Sequence, residues 1–558
     1  MSDQPTDGSE PTDDHRVTRR TYLRSGAAGA TTLPIGLGTG VLGIGGGTLT
    51  PLAQQFIKAQ RPARIGTFEH SIRRYATDPS WTLRADSDDD YAALTDWANE
   101  DEDVTLVREY QHQRGDGGTV TIGAPIATVA GGYLGGGITE ESWVAAADLN
   151  VVTSLVQTPN LPIDAREFEQ LAGIESLILT TIQQDEPFDP TEFEAGDDDS
   201  EQSAIAFDAE TTTLEAGREV INDTSEDGTD ALLAVVDTGL TYDASIYGRT
   251  VDVDGETTTE SRVHEDSTDF TAAGDPTVAE EGVDILNDDS GHGSWVTAAA
   301  ASSAAEPDRG VAPDADLFIG RALDHEDGSG AVADIATAVR AATDAGADAT
   351  CMSLGAPMYS AELADAIAYA TEFDNTIVVA SGNDRMVSRF VAYPAADPNT
   401  LAVSATDVPS DGDPTAVRSA AFANVGPSPG TINFSEGETS SVEVDIAAPG
   451  MAQQARLAGG DTTLSGTSMA APDVAGAAAL LAAQGVENPS ERLRETARPV
   501  PNLAPAESKH GLLDIQAALQ NDEPEDEPAD VLTSDAELRD DMFRSEATAR
   551  GSWIATLL

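Results

Sequence analysis

Residues 464–476 read L-S-G-T-S-M-A-A-P-D-V-A-G and lead into a run of mostly small apolar residues that ends near Ala483. Because proline is tolerated in the first turn of a helix, Pro472 predicts a helix start near Thr467 or Ser468. The serine hydroxyl would then lie at the positive end of a helix dipole, beside backbone N–H groups that lack helical partners. Such a position suits a nucleophile whose reaction develops an oxyanion. A serine that only caps a core helix would give the same local pattern.

The charge of the chain is extreme. Its 558 residues include 30 Lys and Arg against 98 Asp and Glu, a formal net charge of −68. Binding to nucleic acid needs a basic face, so this balance excludes nucleic acid as a partner. Since 40% of the residues are hydrophobic, we expect a folded core under an acidic shell. Such a shell repels itself until salt screens it, as in proteins from extremely halophilic microbes. We therefore predict a fold and an activity that depend on salt.

Residues 1–47 are predicted to be a twin-arginine-type export signal. Arg19 and Arg20 are adjacent and precede a weakly apolar, glycine-rich stretch, with no charged residue from position 25 to position 57. An uncharged stretch of this length could instead be a membrane anchor, although glycine adds little apolar burial. We expect an extracellular protein exported by the twin-arginine route. Tethering, or a transient membrane association through the N-terminus, is the alternative.

Residues 48–165 mix helical and strand patterns, which favours a small α+β prosegment or a plain accessory domain. The predicted elements are a helix over 91–99, strands over 104–113 and 119–125, a second helix over 142–149 and a strand over 151–157. An acidic linker is expected over 166–214. The last segment, 521–558, is acidic and has little core signal, so it is predicted to be a mobile tail.

Between the linker and the tail, residues 215–520 are predicted to be the catalytic domain. Apolar strand-like runs alternate with helical patterns: strands at 231–236, 315–321, 349–354, 376–380 and 400–405, helices at 331–345 and 361–372. Repeated βα units imply an α/β fold with a mostly parallel central sheet and helices on both faces.

Three residues suited to nucleophilic catalysis follow one another in the order Asp237, His292 and Ser468, each beside glycine or small residues. A serine is a poor nucleophile until a base takes its proton, and an imidazole can take that proton near neutral pH. A buried carboxylate can hold the imidazole in the required tautomer. Taken singly, each residue is better explained as an ordinary turn, loop or cap residue. Together they indicate a catalytic triad.

Six short stretches follow one another along the chain: V-V-D-T-G at 235–239, D-S-G-H-G-S at 289–294, G-V-A-P at 310–313, M-S-L-G at 352–355, A-S-G-N at 380–383 and G-T-S-M-A-A-P at 466–472. In sequence and in order they resemble those of the subtilisin-like serine proteases (subtilases, peptidase family S8), and the acidity is like that of exported haloarchaeal members. The resemblance covers about residues 215–520. It implies a three-layer subtilisin-like fold, with Ser468 as nucleophile, His292 as general base and acid, and Asp237 as the orienting carboxylate.

The same resemblance implies two further parts of the site. Asn383 would donate its side-chain amide to the oxyanion, together with the backbone N–H of Ser468. Ser353, Leu354 and Gly355 would form an edge that pairs with the extended backbone of a substrate.

The chemistry implied by the resemblance needs no cofactor, and the implied partners are protein or peptide substrates. Some members of the family bind calcium, but no Asp-rich loop here has the ligand spacing of a calcium site, so the metal content is left open. Residues 48–165 would suit an intramolecular inhibitory prosegment. The single cysteine, Cys351, lies in an apolar run and is predicted to be a buried thiol.

The sequence also departs from the family pattern. Ser294 and Trp295 stand where the family usually has Thr and His, which puts the substrate preference in doubt but removes no catalytic atom. The leading hypothesis is an exported, salt-dependent endopeptidase. The alternatives are a catalytically silent binding or surface domain, and a processing protease held at the membrane by its N-terminus.

Overall fold

In the computed structural model, the structure describes residues 80–101, 104–123, 143–149, 152–155, 205–206, 209–253, 256–271, 287–324, 328–355, 360–383, 385, 391–433, 438–524 and 526–544. The predicted export signal, most of the predicted linker and the end of the tail lie outside these residues. No helix of the described part is both long and apolar enough to cross a membrane.

An antiparallel sheet with one helix packed against it comes first along the chain. Its strands are β1 (Ser80–Ala85), β2 (Thr105–Gln111), β3 (Gly118–Gly123) and β4 (Ala146–Leu149), in the order β2-β3-β1-β4. Helix α1 (Asp88–Glu100) begins where the Ser87 hydroxyl accepts a hydrogen bond from the Asp90 N–H, and its first turn is acidic, which suits the helix dipole.

The helix that the sequence predicted over 142–149 is wrong. Residues Ala146–Leu149 form β4, which pairs antiparallel with β1, so that Leu149 lies opposite Trp81. Pairing with a distant strand outweighs a local preference for helix that is worth only tenths of a kcal/mol, or roughly 0.7 kcal/mol at most, per ordinary residue.

The central sheet of the larger part has nine strands among the described residues. They are β6 (Ile205–Ala206), β8 (Leu232–Asp237), β11 (Thr268–Asp269), β12 (Asp316–Arg321), β14 (Ala349–Met352), β16 (Thr376–Ala380), β17 (Thr400–Thr406), β18 (Ser419–Ala420) and β21 (Ile446–Pro449). Their order is β11-β12-β8-β14-β16-β17-β18-β6, with β21 also paired to β17. All neighbours are parallel except β17 and β18.

Smaller sheets lie around the central one. Their strands are β5 (Val152–Leu155), β7 (Thr212–Thr213), β9 (Gly248–Val253), β10 (Glu256–Ser261), β13 (Ser329–Ala331), β15 (Leu354–Gly355), β19 (Ser428–Asn433), β20 (Glu438–Val442), β22 (Gln453–Leu457) and β23 (Gly460–Leu464). They pair as β13-β5-β15, β23-β22-β7, β10-β9 and β19-β20.

The helices of the larger part follow in chain order. They are α2 (Leu214–Val220), α3 (Ala244–Tyr247), α4 (His292–Ala301), α5 (Val332–Ala345), α6 (Ala361–Glu372), α7 (Thr467–Ala483), α8 (Pro489–Thr496), α9 (Ile515–Gln520) and α10 (534–544).

Side chains of the central strands alternate between the two faces of the sheet and so form two cores. On one face, Leu233 and Val235 pack with residues of α4 and α7. On the other face, Ala234 and Val236 pack with residues of α5 and α6. The predicted fold class, three layers around a mostly parallel sheet, is therefore confirmed.

Helix α7 lies deep in the first of these cores, and its residues from Thr467 to Leu481 are buried. A Cβ atom added to Gly476 would lie 2.7 Å from the Val311 Cβ and 3.0 Å from the Ala300 carbonyl oxygen of α4. Only glycine lets α4 and α7 approach so closely.

Two predicted segment boundaries differ from the structure. Residues of the predicted linker, 166–214, already belong to the larger part, because β6 pairs with β18 and β7 pairs with β22. The predicted mobile tail, 521–558, contains α10, in which Phe543 is buried against Val425 and Ala506. These contacts join distant parts of the chain, so local composition gave no sign of them.

Candidate active site

Asp237 and His292 meet at the carboxyl end of β8. The carboxylate is on the last residue of that strand and the imidazole on the first residue of α4. The His292 Nδ1 lies 2.8 Å from the Asp237 Oδ1, and both residues are 1% exposed. A Cβ atom on Gly293 would lie 2.4 Å from the Gly239 carbonyl oxygen, so the glycine allows α4 to begin directly against the end of the strand.

Each of the two side chains has one polar atom with partners and one without, among the described residues. The Asp237 Oδ1 also accepts hydrogen bonds from the Thr238 N–H at 2.8 Å and from the Thr238 hydroxyl at 3.2 Å. In contrast, the buried His292 Nε2 and Asp237 Oδ2 have no hydrogen-bond partner among the described residues. With Nδ1 facing the carboxylate, Nε2 is the ring nitrogen that could exchange a proton with another group.

Asp288 supports this pair, and the sequence analysis missed it. Its Oδ1 accepts from the Thr238 hydroxyl at 2.8 Å and from the Gly291 N–H at 2.9 Å. Its Oδ2 accepts from both the N–H and the hydroxyl of Ser294 at 2.8 Å. The carboxylate thus ties the residue after Asp237 to the residues on both sides of His292. Asp288 stands directly before the D-S-G-H-G-S stretch. A carboxylate four positions before the histidine is the signal by which the sequence could have revealed it.

Ser468 is the second residue of α7 and is fully buried. Pro472 has no N–H, so the Ser468 carbonyl four residues earlier lacks its usual helical donor. The Ser353 hydroxyl donates to that carbonyl at 2.9 Å, and the Ser468 hydroxyl donates to the Ser353 carbonyl oxygen at 3.1 Å. The structure therefore joins Ser468 to Ser353 and Asp237 to His292, but shows no hydrogen bond between the Ser468 hydroxyl and the His292 Nε2.

Asn383 follows the end of β16 and lies beside the start of α7. Its Oδ1 accepts hydrogen bonds from the N–H and the hydroxyl of Thr467, both at 2.9 Å. The Thr467 hydroxyl in turn accepts from the Gly382 N–H at 3.2 Å. Because the carbonyl side of the amide is held by Thr467, its NH₂ side is directed away from that residue.

The segment Ser353-Leu354-Gly355 already has a neighbouring strand. Leu354 and Gly355 form β15 and pair antiparallel with Leu155 and Ser154 of β5. On its other side, β5 pairs with β13, so that a strand from the N-terminal part lies between two edges of the larger part.

Trp295 and Cys351 are core residues. The Trp295 side chain is fully buried and its Nε1–H donates to the Thr462 carbonyl oxygen of β23 at 3.1 Å. Burial raises the pKa of the Cys351 thiol, which lies 3.8 Å from the Ser353 hydroxyl oxygen. Among the described residues, neither side chain forms a hydrogen bond with Asp237 or His292.

The part of the chain that the structure describes contains no group of three or more His, Cys, Asp or Glu side chains arranged to hold a metal ion. No residue is therefore assigned to calcium.

Comparisons with known proteins found a family and several relatives that this chain resembles in sequence. A model of the subtilase family (peptidase S8) matches residues 228–513, more than half of the 558 residues. A thermophilic serine proteinase from Bacillus sp. (strain AK1) is 35% identical over 217 residues, which is 37% of this chain and 48% of the relative. Subtilisin BL from Lederbergia lenta is 36% identical over 196 residues, which is 35% of this chain and 64% of the relative.

A third relative, the major intracellular serine protease of Bacillus subtilis (strain 168), is 30% identical over 218 residues, which is 38% of this chain and 61% of the relative. In each of these three comparisons the matched region spans between about half and slightly less than two thirds of the relative's length.

Proposed function

We propose that this chain, which belongs to the subtilase family, is an exported, salt-dependent serine endopeptidase that hydrolyses peptide bonds through an acyl-enzyme. One observation carries the proposal. A buried Asp237–His292 pair leaves the Nε2 of the imidazole without a partner in the described residues, and the helix that begins at His292 packs against the helix that presents Ser468.

The proposed reaction begins with a rotation about the Cα–Cβ bond of Ser468. Its hydroxyl leaves the Ser353 carbonyl and turns to the His292 Nε2. The Ser468 Oγ then bonds to the carbonyl carbon of the substrate while its proton passes to Nε2. Asp237 stabilises the imidazolium that results. The same proton next goes to the leaving amine as the C–N bond breaks, and a water molecule releases the acid by the reverse steps.

Two groups would stabilise the oxyanion that forms during this attack. The backbone N–H of Ser468 lies in the first turn of α7, where helical N–H groups have no acceptors within the helix. The Asn383 amide, held through its oxygen by Thr467, would supply the second donor. Once the Ser468 hydroxyl has rotated away, the Ser353 carbonyl oxygen would be available to a backbone N–H of the substrate.

The substrate would bind as an extended strand between β13 and β15. Strand β5 supports this proposal, because it takes that position with backbone pairing on both sides. We therefore propose that the N-terminal part is an inhibitory prosegment, of which strand β5 occupies the substrate cleft until the prosegment is cut and released.

Export and salt dependence are supported by composition. The adjacent Arg19 and Arg20 precede a glycine-rich apolar stretch, and the formal net charge is −68. Protein or peptide substrates outside the cell are the proposed partners.

A serine-directed fluorophosphonate probe tests the proposal in high-salt buffer, on the chain produced whole and then left to cut and release the proposed prosegment. We expect stoichiometric labelling of Ser468, loss of peptide hydrolysis after labelling, and neither labelling nor hydrolysis in Ser468→Ala. A folded wild-type chain that stays unlabelled would instead be a catalytically silent member of its family.

A further inference from the structure

A cluster of opposite charges is buried around Glu507 and includes Arg385, two residues after Asn383. Glu507 is fully buried, and its Oε1 accepts from the Arg385 Nη2 at 2.6 Å. Arg539 donates to both carboxylate oxygens, from Nε at 3.1 Å and from Nη2 at 3.0 Å. Both arginines are also buried, so this is one carboxylate held between two guanidinium groups away from water.

The negative charge of Glu507 is stabilised by both arginines. Burial alone would raise the pKa of its carboxyl group, but the positive charges of Arg385 and Arg539 outweigh burial, and the pKa is lowered. A charge buried without a partner is unfavourable, and the loss of one partner leaves the others imperfectly compensated. Removal of Arg539 is therefore expected to change the position of Arg385, because both arginines bind the same carboxylate.

Arg385 connects this cluster to the loop that carries Asn383, which lies two residues earlier. The Arg385 N–H donates to the Phe422 carbonyl oxygen at 3.0 Å, and its Nη1 donates to the Ser419 hydroxyl at 3.0 Å. These bonds hold both the guanidinium and the backbone of Arg385, two positions after Asn383.

The opposite side of the cluster is formed by α10, which lies beyond the region matched by the subtilase family model. Arg539 of this helix also donates to the Asn502 carbonyl oxygen at 2.6 Å. Asp540 accepts from the Ala506 N–H at 2.8 Å, and the guanidinium carbon of Arg385 lies 4.9 Å from the centre of the Phe543 ring. The helix is thus docked directly on Glu507 and Arg385.

We propose that Arg539 and Glu507 are positioning residues that hold the Asn383 loop in place through Arg385, so that α10 is part of the catalytic apparatus. This inference rests on the proposed function, because Asn383 matters here only as a donor to an oxyanion. An oxyanion donor must be held within a fraction of an ångström, and a misplacement of about 1 Å can cost on the order of 10²-fold in rate.

The test is a double-mutant cycle on the full chain in high-salt buffer, with kcat expressed per serine titrated by a fluorophosphonate. We expect Arg539→Ala to lower kcat by about 10- to 100-fold while KM changes by less than about threefold, since the loss falls on the transition state. In an Asn383→Ala background the same change should cost no more than about twofold, because the donor it positions is gone. A merely structural role would lower the titrated fraction and leave kcat per site unchanged.

Arg544→Ala is the matched control, since Arg544 lies on the same helix and forms its ion pairs with Asp540 and Glu443. It should keep the wild-type kcat. Arg539→Lys, which keeps the charge but loses the two-point contact, is run through the same cycle in case Arg539→Ala does not fold, and a smaller loss of the same kind is expected.

Equal kcat per site in wild type and the Arg539 variants, or an equal loss with and without Asn383, would overturn the inference alone. A folded wild-type chain that neither hydrolyses peptides nor reacts at Ser468 would overturn the proposed function as well.

Discussion

The side-chain oxygen of Asn383 accepts two hydrogen bonds from Thr467, the residue directly before Ser468. The candidate oxyanion donor and the candidate nucleophile are therefore held by one residue at the start of α7. This connection fixes which side of the Asn383 amide can face a substrate, because the oxygen is already occupied.

Replacing Asn383 with Ala should lower kcat by about 10²–10³-fold and leave KM nearly unchanged, a magnitude taken from the corresponding change in subtilisin. The donor acts on the oxyanion, which exists only after attack, so substrate binding is not expected to weaken. Steady-state kinetics on a peptide amide measures both constants. Asn383→Asp removes the donor but keeps the oxygen that accepts from Thr467, and an unchanged kcat in that variant would refute the role.

Replacing Asp288 with Asn should destabilise the fold by about 1–3 kcal/mol, because an NH₂ group would then face donors at Ser294 or at Thr238 and Gly291. We also expect a lower kcat, since the network holds both sides of His292. Denaturant unfolding measures the first effect and peptide hydrolysis the second. Asp289→Asn, at an exposed neighbouring position, is the control and should change neither value.

Because of His112, the contact between the N-terminal part and the larger part should become less stable as the pH falls. Its ring lies 4.7 Å, centroid to centroid, from that of Tyr369, and burial together with the nearby Arg340 charge lowers its pKa. When the surfaces separate, the pKa returns to about 6.5. As the pH falls through that value, only the separated state gains the proton, so the docked state loses stability; above it there is no effect.

The measurement for His112 is the melting temperature between pH 8 and pH 5.5, in a Ser468→Ala background that keeps the chain uncut. His112→Phe retains a ring against Tyr369 but cannot titrate. Wild type should lose more melting temperature on acidification than His112→Phe does, and parallel curves for the two proteins would contradict the prediction.

The position of β5 and β6 predicts where the mature protein begins. Strand β5 ends at Leu155 beside the substrate edge, whereas β6 begins at Ile205 and belongs to the central sheet. A cut that releases the first and keeps the second must fall between them. Mass spectrometry of the protein recovered from high-salt medium should find an N-terminus within 156–205, and a mature chain that begins before Val152 would argue against a prosegment.

Salt should be required for both fold and activity. At a net charge of −68 the repulsion between surface carboxylates reaches about 30 Å in 0.01 M salt but only about 3 Å in 1 M salt. Circular dichroism and peptide hydrolysis followed against sodium chloride should both rise with salt concentration. Full activity in salt-free buffer without added ligand would contradict this prediction.

The sequence predicted well what local patterns and motifs encode. The strand that ends at Asp237, the helix that begins at Thr467 and the three-layer class all follow from apolar runs and small-residue motifs. The approach of His292 to Asp237 could be expected from the order of the family-like motifs, with Asp237 at the end of a strand of the parallel sheet and His292 at the start of a helix.

Contacts between distant segments were not predictable in this way. Strand β4 forms because it pairs with β1, and α10 packs on the larger part through the ion pair between Arg539 and Glu507. The contribution of Asp288 was missed for a different reason, since a carboxylate that binds backbone N–H groups in a loop looks like any other acidic surface residue until the loop is folded. The hydrogen bond from Ser468 to Ser353 also depends on packing between separate elements.

Gly476 gives the molecule a spacer made of a single hydrogen atom. It lies eight residues after Ser468 in the same helix, and it sets the gap between that helix and the helix that carries His292. Replacing helical glycines with alanine is a common route to a more heat-resistant enzyme. At this one position the same substitution would wedge the two helices apart, so an engineer seeking thermostability would lose turnover.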